Sequence, residues 1–149
     1  MMSGKYAAMI IGFVLGFALP ASAAPNPGYD TFTVSKRTID AQMSATFRQC
    51  IATSRGETAS MGDCVGNEHG RIYDRKFSPA YNAALKRLPT DAAKATLRAD
   101  HAVWVSARKQ SFGEEMDRLG GGSAAVLAAR DRDLRELVRR YLWLQHYRR

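Results

Sequence analysis

His101, Trp104 and Arg108 follow one another at steps of three and four residues, so on a helix an imidazole, an indole and a guanidinium share one face. That combination suits contact. A guanidinium stacked on an indole is a cation–π pair worth about 0.5–2 kcal/mol, and the same three residues would equally serve as a core anchor, Trp104, rimmed by polar neighbours. Bond-breaking chemistry finds no matching pattern. Asp100 and His101 are adjacent, hence about 100° apart around a helix, and no serine or cysteine stands at an offset that would complete a nucleophilic set. The 3 histidines are isolated, without His-x-x-x-His or cysteine-rich spacing, so no metal site is expected. The run Gly120-Gly121-Gly122-Ser123 lacks the lysine of a phosphate loop and follows a helical pattern instead of a strand. The expectation is a chain that is not an enzyme and carries no cofactor.

A second set lies at the C-terminal end. Between Arg130 and Arg149 there are 7 arginines against Asp131, Asp133 and Glu136, a local net charge of +4. Arg139, Arg140 and Trp143, with Arg132, His146 and Tyr147, fall off the apolar seam of that stretch. A basic face with interleaved aromatic rings suits anionic polymers or lipid such as peptidoglycan or lipopolysaccharide, because arginine grips oxyanions bidentately. The plainer reading is a solvated face, with cations favoured near a helix C-terminus.

The first residues read as an address. Lys5 precedes an apolar run from Ala7 to Leu19, and Pro20 precedes Ala21-Ser22-Ala23. This predicts a signal peptide over residues 1–23, cleaved after Ala23, and a periplasmic or secreted product. An uncleaved anchor is the alternative, but the 13 residues fall short of the about 20 that span a bilayer. No later run is long and apolar enough to cross a membrane. With Lys5 removed, 21 basic residues face 14 acidic ones, a net charge of +7 that favours anionic partners. In an exported protein nucleic acid is not the expected one. The 2 cysteines, Cys50 and Cys64, both lie in the exported part. An oxidising compartment permits them to pair, and a free thiol is the alternative.

These groups are positioned by helices. Residues 24–37, rich in proline, glycine and hydroxyl side chains, read as a flexible lead-in. Residues 38–149 read as one all-α domain, a small bundle of about four helices in two antiparallel hairpins. Helix one runs from Thr38 to near Ser54. Helix two starts close to Ser60 with the stripe Met61, Cys64, Val65, Glu68 and Ile72, then restarts or bends at Ser78-Pro79 before Tyr81, Ala84, Leu85 and Leu88. The longest helix is expected to organise the rest. Thr90 caps it and Leu97, His101, Trp104, Arg108, Phe112, Met116 and Leu119 form its stripe. The glycine run ends it. Ser123 is placed to cap a last helix with the seam Leu127, Leu134, Leu137, Tyr141 and Leu144.

Taken together, the spacing from about Cys50 to Arg140 resembles the family of exported bacterial domains called lysozyme inhibitor LprI-like. That family has a methionine shortly before a cysteine, as Met61 precedes Cys64. Its Asp-x-x-Leu-Asn-x-x-Tyr run is matched in spacing by Asp74, Phe77, Ser78 and Tyr81. Its Gln-x-x-Trp-x-x-x-Arg-Asp helix is matched by His101, Trp104, Arg108 and Lys109, and its Gly-Gly-Ser turn by Gly121-Gly122-Ser123. Phe112 and the stretch from Arg130 to Asp133 stand where the family has two further cysteines. The resemblance implies a non-enzymatic exported binding module, with a lysozyme or other cell-wall hydrolase as partner.

Overall fold

A computed structural model of the chain describes residues 28–147. The expected signal peptide, residues 24–27 of the lead-in, and Arg148 and Arg149 lie outside the described residues. The rest is all-α, with no strand among the described residues: α1 (Lys36–Asp40), α2 (Ala45–Thr53), α3 (Thr58–Ile72), a π turn (Tyr73–Phe77), α4 (Ser78–Arg87), α5 (Asp91–Arg118) and α6 (Gly122–His146).

Polar side chains set the boundaries. Thr90 accepts from the backbone N–H of Ala93 at 3.1 Å and opens α5, with Asp91 in the first turn. Gly120, Gly121 and Gly122 close it at φ +73°, +75° and +84°, a backbone region that side chains with a Cβ avoid. The next helix starts at Gly122 with Gly121 as its cap, so Ser123 falls inside the first turn instead of capping it. The expected first helix is in fact two. Ser44 caps α2 by accepting from Phe47 N–H at 2.9 Å. Its own N–H, which a continuous helix would have used, goes to the Glu68 carboxylate at 2.7 Å. Proline interrupts less than expected. A π turn, with Ser78 N–H bonded to Tyr73 C=O, carries α3 into α4, and Pro79, which has no N–H to place, sits in the first turn of α4.

Cys50 on α2 and Cys64 on α3 form the disulfide, with Cα atoms 5.8 Å apart. Beside it Glu68, which is buried, holds Ser44 and is gripped by Arg71 at 2.8 and 2.6 Å. Burial alone would raise the Glu68 carboxyl, but the Arg71 guanidinium and the Ser44 donors outweigh it and hold it below the usual carboxylate range.

The hub of the bundle is α6, not α5. It packs against α1, α3, α4, the π turn and α5, and it buries Leu134, Leu137, Val138, Arg140, Trp143 and Leu144. By contrast α5 buries Leu97, Trp104 and Glu115, and its stripe fades toward Leu119, which is exposed.

Candidate functional site

The N-terminal segment supplies the first correction. Tyr29, expected in a lead-in outside the domain, belongs to the core. Its ring meets Trp143 edge-on at 5.4 Å, and its hydroxyl donates to Glu136 Oε1. Arg139 on α6 straps the same segment down by donating to Tyr29 C=O at 2.8 Å and Phe32 C=O at 3.0 Å. Burial, then the Glu136 charge, pushes the Tyr29 hydroxyl well above its ordinary range, so it keeps its proton as donor. The described part of the lead-in is thus a third wall against α5 and α6.

Arg140 and Trp143 are the second correction. They were expected on a solvent-facing basic surface, but Arg140 is 1 % exposed and Trp143 is 6 % exposed. The Arg140 guanidinium lies 4.2 Å from the Trp143 ring, 4.6 Å from Tyr29 and 5.4 Å from Trp104, and pairs with Asp100 on α5. A charge this far from water costs several kcal/mol, of order, unless it is matched. Here one carboxylate and three ring faces match it. Tyr147 is also buried, while Arg132 stays out in solvent, paired with Glu115 at 3.0 Å.

The trio on α5 does come together. Trp104 is a core residue, and its Nε1 donates to Glu136 Oε1 at 3.1 Å. Arg108 stacks on it at 4.6 Å and binds Asp133 through two bonds of 2.7 and 2.5 Å, with His69 on α3 completing the group 3.1 Å from Asp133. Burial would raise the Asp133 carboxyl, yet the bonds from His69 and Arg108 bring it down to about 2. His101 lies between Tyr81, at 4.5 Å, and Trp104, at 5.6 Å. Burial, and then the Arg140 charge, lowers its pKa and favours the neutral ring.

Between α5, α6 and the N-terminal segment runs a groove of about 690 Å³. Val103, Ala107, Phe112, Ala128 and Ala129 give it an apolar lining, and Arg140, Trp104 and Tyr29 lie at one end. Its volume falls in the range of small-molecule sites, about 300–1,000 Å³. A second hollow, about 580 Å³, lies beside the disulfide and is lined by Phe47, Ile51, Met61, Val65 and Leu127. The positions that carry the family spacing are dispersed: Met61 lines the second hollow, Asp74 is exposed, Tyr81 is half-buried against Phe77, and Gly121 and Gly122 form the turn.

Tyr29, Asp100 and Glu136 are the residues that sequence reasoning missed. The available signal was the pair Tyr29 and Phe32, two aromatic residues in a segment otherwise read as solvated. No cluster of His, Cys, Asp and Glu suited to a metal occurs among the described residues, and no helix among them is long and apolar enough to cross a membrane. No protein-family model, curated protein or solved structure matches this chain.

Proposed function

We propose that this chain is a non-enzymatic exported binding protein whose binding surface is the groove between α5 and α6. The observation that carries the reading is the state of the charges along that groove. Arg108 is neutralised by Asp133, Arg135 by Asp131 and Asp40, and Arg139 by Glu136, so most ionisable groups of the walls are paired, with Asp30 left exposed at the N-terminal side, and the channel between them is largely apolar. Groups held this way orient a ligand, whereas a general acid or base needs a proton poised for exchange. Export is supported by the N-terminal sequence pattern and by the disulfide, which an oxidising compartment maintains.

The resemblance to LprI-like domains makes a lysozyme or other cell-wall hydrolase the first partner to test. Purified protein is expected to slow lysis of a cell-wall suspension in a dose-dependent way. Val103→Arg, which fills the groove from an exposed position, is expected to weaken that effect at least about tenfold, the loss of roughly 1.4 kcal/mol of contact. Inactivity against several lysozyme classes would remove the hydrolase as partner.

A second reading, a basic envelope protein that holds anionic polymer or lipid, draws on the net charge of +7 that remains once Lys5 is removed. It has to use cations other than Arg140, which does not reach solvent. Salt-sensitive retention on anionic liposomes, compared with neutral ones, tests it.

A further inference from the structure

Most polar side chains around the groove are satisfied, and Arg140 is not. One of its nitrogens reaches Asp100, but Nε and Nη1 are buried with no hydrogen-bond partner. A buried donor left without an acceptor keeps the cost of its lost hydration, and folded proteins keep few of them. Arg140 is also among the residues that line the groove. The channel therefore ends at a residue that holds two buried donors without an acceptor, beneath the ring of Tyr29.

We propose that the groove is a binding site for a long-chain carboxylate, whose chain lies along Val103, Ala107, Phe112, Ala128 and Ala129 and whose head group accepts hydrogen bonds from Arg140. The dimensions fit an extended chain, since Asp100 and Phe112 lie twelve helical steps apart on α5, about 18 Å. The wall chemistry favours this ligand over a peptide. A peptide brings a donor and an acceptor at every residue, and the charges of α5 and α6 that would meet them, Arg108, Asp131, Asp133, Arg135, Glu136 and Arg139, are already paired with each other. An alkyl chain brings none. What the groove lacks is apolar contact along its length and one acceptor at its end.

Tyr29 governs entry. Its ring lies over Arg140 at 4.6 Å, and it belongs to the segment ahead of α1, so opening requires release of its bonds to Glu136 and Arg139 and no rearrangement within α5 or α6. The head group then occupies the space that the ring leaves. The proposal rests on the groove being a binding site and does not depend on a hydrolase being the partner.

The test is a titration of the intact protein, labelled with ¹⁵N at arginine, using sodium dodecanoate below its micelle concentration, with dodecan-1-ol and acetate in parallel. Dodecanoate is expected to saturate, to shift the Arg140 Nε–H resonance and to change tryptophan fluorescence while helicity stays constant. The alcohol is expected to bind at least about tenfold more weakly, since a charge-assisted hydrogen bond exceeds a neutral one by roughly that factor. Acetate should not saturate. The double variant Arg140→Met, Asp100→Asn, which strands no buried charge, should bind acid and alcohol alike, and Tyr29→Ala should tighten dodecanoate several-fold. The idea is overturned by equal affinity for acid and alcohol in the native protein, by undiminished preference for the acid in the double variant, or by an Arg140 resonance unmoved at saturation, which would mean that a water already serves those donors. Dodecanoate binding without hydrolase inhibition removes only the partner proposed above, and inhibition without dodecanoate binding removes only the present proposal.

Discussion

The hairpin of α2 and α3 and the wall formed by Tyr29, α5 and α6 solve the same problem with different means. Each brings a buried charge and a distant stretch of chain together. In the hairpin a covalent bond fixes the approach, and Glu68 answers Ser44 and Arg71 with every donor in place. In the wall nothing is covalent. Arg140 is held by Asp100 and three aromatic rings, and part of its hydrogen-bonding capacity is unmet. A crosslink acts mainly by restricting the unfolded chain, whereas a buried ion pair acts on the folded state, where losing one partner is far worse than losing both. The hairpin should therefore tolerate polar substitution better, and the wall should be the place where single changes do most damage and where a ligand has something to gain.

The strongest challenge to that contrast is Arg140→Ala. It leaves Asp100 partly buried and unpaired beside a cavity bounded by Tyr29, Trp104 and Trp143, and a loss of about 3 kcal/mol or more is expected in urea unfolding. Adding Asp100→Asn to an Arg140→Met change should recover most of it, and a double variant as unstable as the single one would mean that packing of the arginine stem, not charge, dominates. Next in size is removal of the disulfide. With a sequence separation of 14, loss of the crosslink through Cys50→Ala, Cys64→Ala should cost about 3 kcal/mol. The two regions share no partner, so the disulfide and Arg140 effects should add. Strong coupling between them would erase the distinction.

The sequence carried the hairpin better than the wall, for reasons visible in particular residues. Thr90 and the three glycines bound α5 through local chemistry, and Cys50 and Cys64 needed only two antiparallel helices to meet. Arg140 and Trp143 were misplaced because a helical wheel assumes one buried face. α6 instead meets α3, α4, α5 and the N-terminal segment, so residues off its leucine seam are buried too. The contact that seats them, Arg139 to Tyr29, joins residues 110 positions apart and leaves no periodic trace. The hub was misassigned for a related reason: α5 is longer and better punctuated, but length and caps report where a helix ends, not how much of it is covered.

Acid should separate the regions again. The Asp133 carboxyl lies at about 2 against an ordinary 3.8, so the stability it contributes is complete above the ordinary value and is lost as the pH falls through about 2, roughly 2 kcal/mol in all. Its partners face it from two helices, His69 on α3 and Arg108 on α5. Asp133→Asn should flatten the stability profile between pH 4 and 2, and an unchanged slope would place the acid sensitivity elsewhere. His101 acts in a higher window. Its pKa is lowered, so its contribution is present above about 6.5, the ordinary value for histidine, and declines as the pH falls below it. Replacement by phenylalanine should remove that decline.

The smallest expected effect concerns Tyr29→Phe. The ring stays, so its edge contact with Trp143 and its place over Arg140 are kept, and only the bond to Glu136 is lost. Glu136 retains Trp104 Nε1 and Arg139 as donors, so it is not stranded. A loss of about 1 kcal/mol is expected, near the net value of one hydrogen bond, and a little more if the carboxylate is poorly rehydrated. Measured beside Tyr29→Ala, this separates two roles of the residue. If the hydroxyl is what closes the wall, phenylalanine should open the groove as alanine does. If the ring on Arg140 closes it, phenylalanine should bind dodecanoate as the native protein does, and only alanine should bind it more tightly.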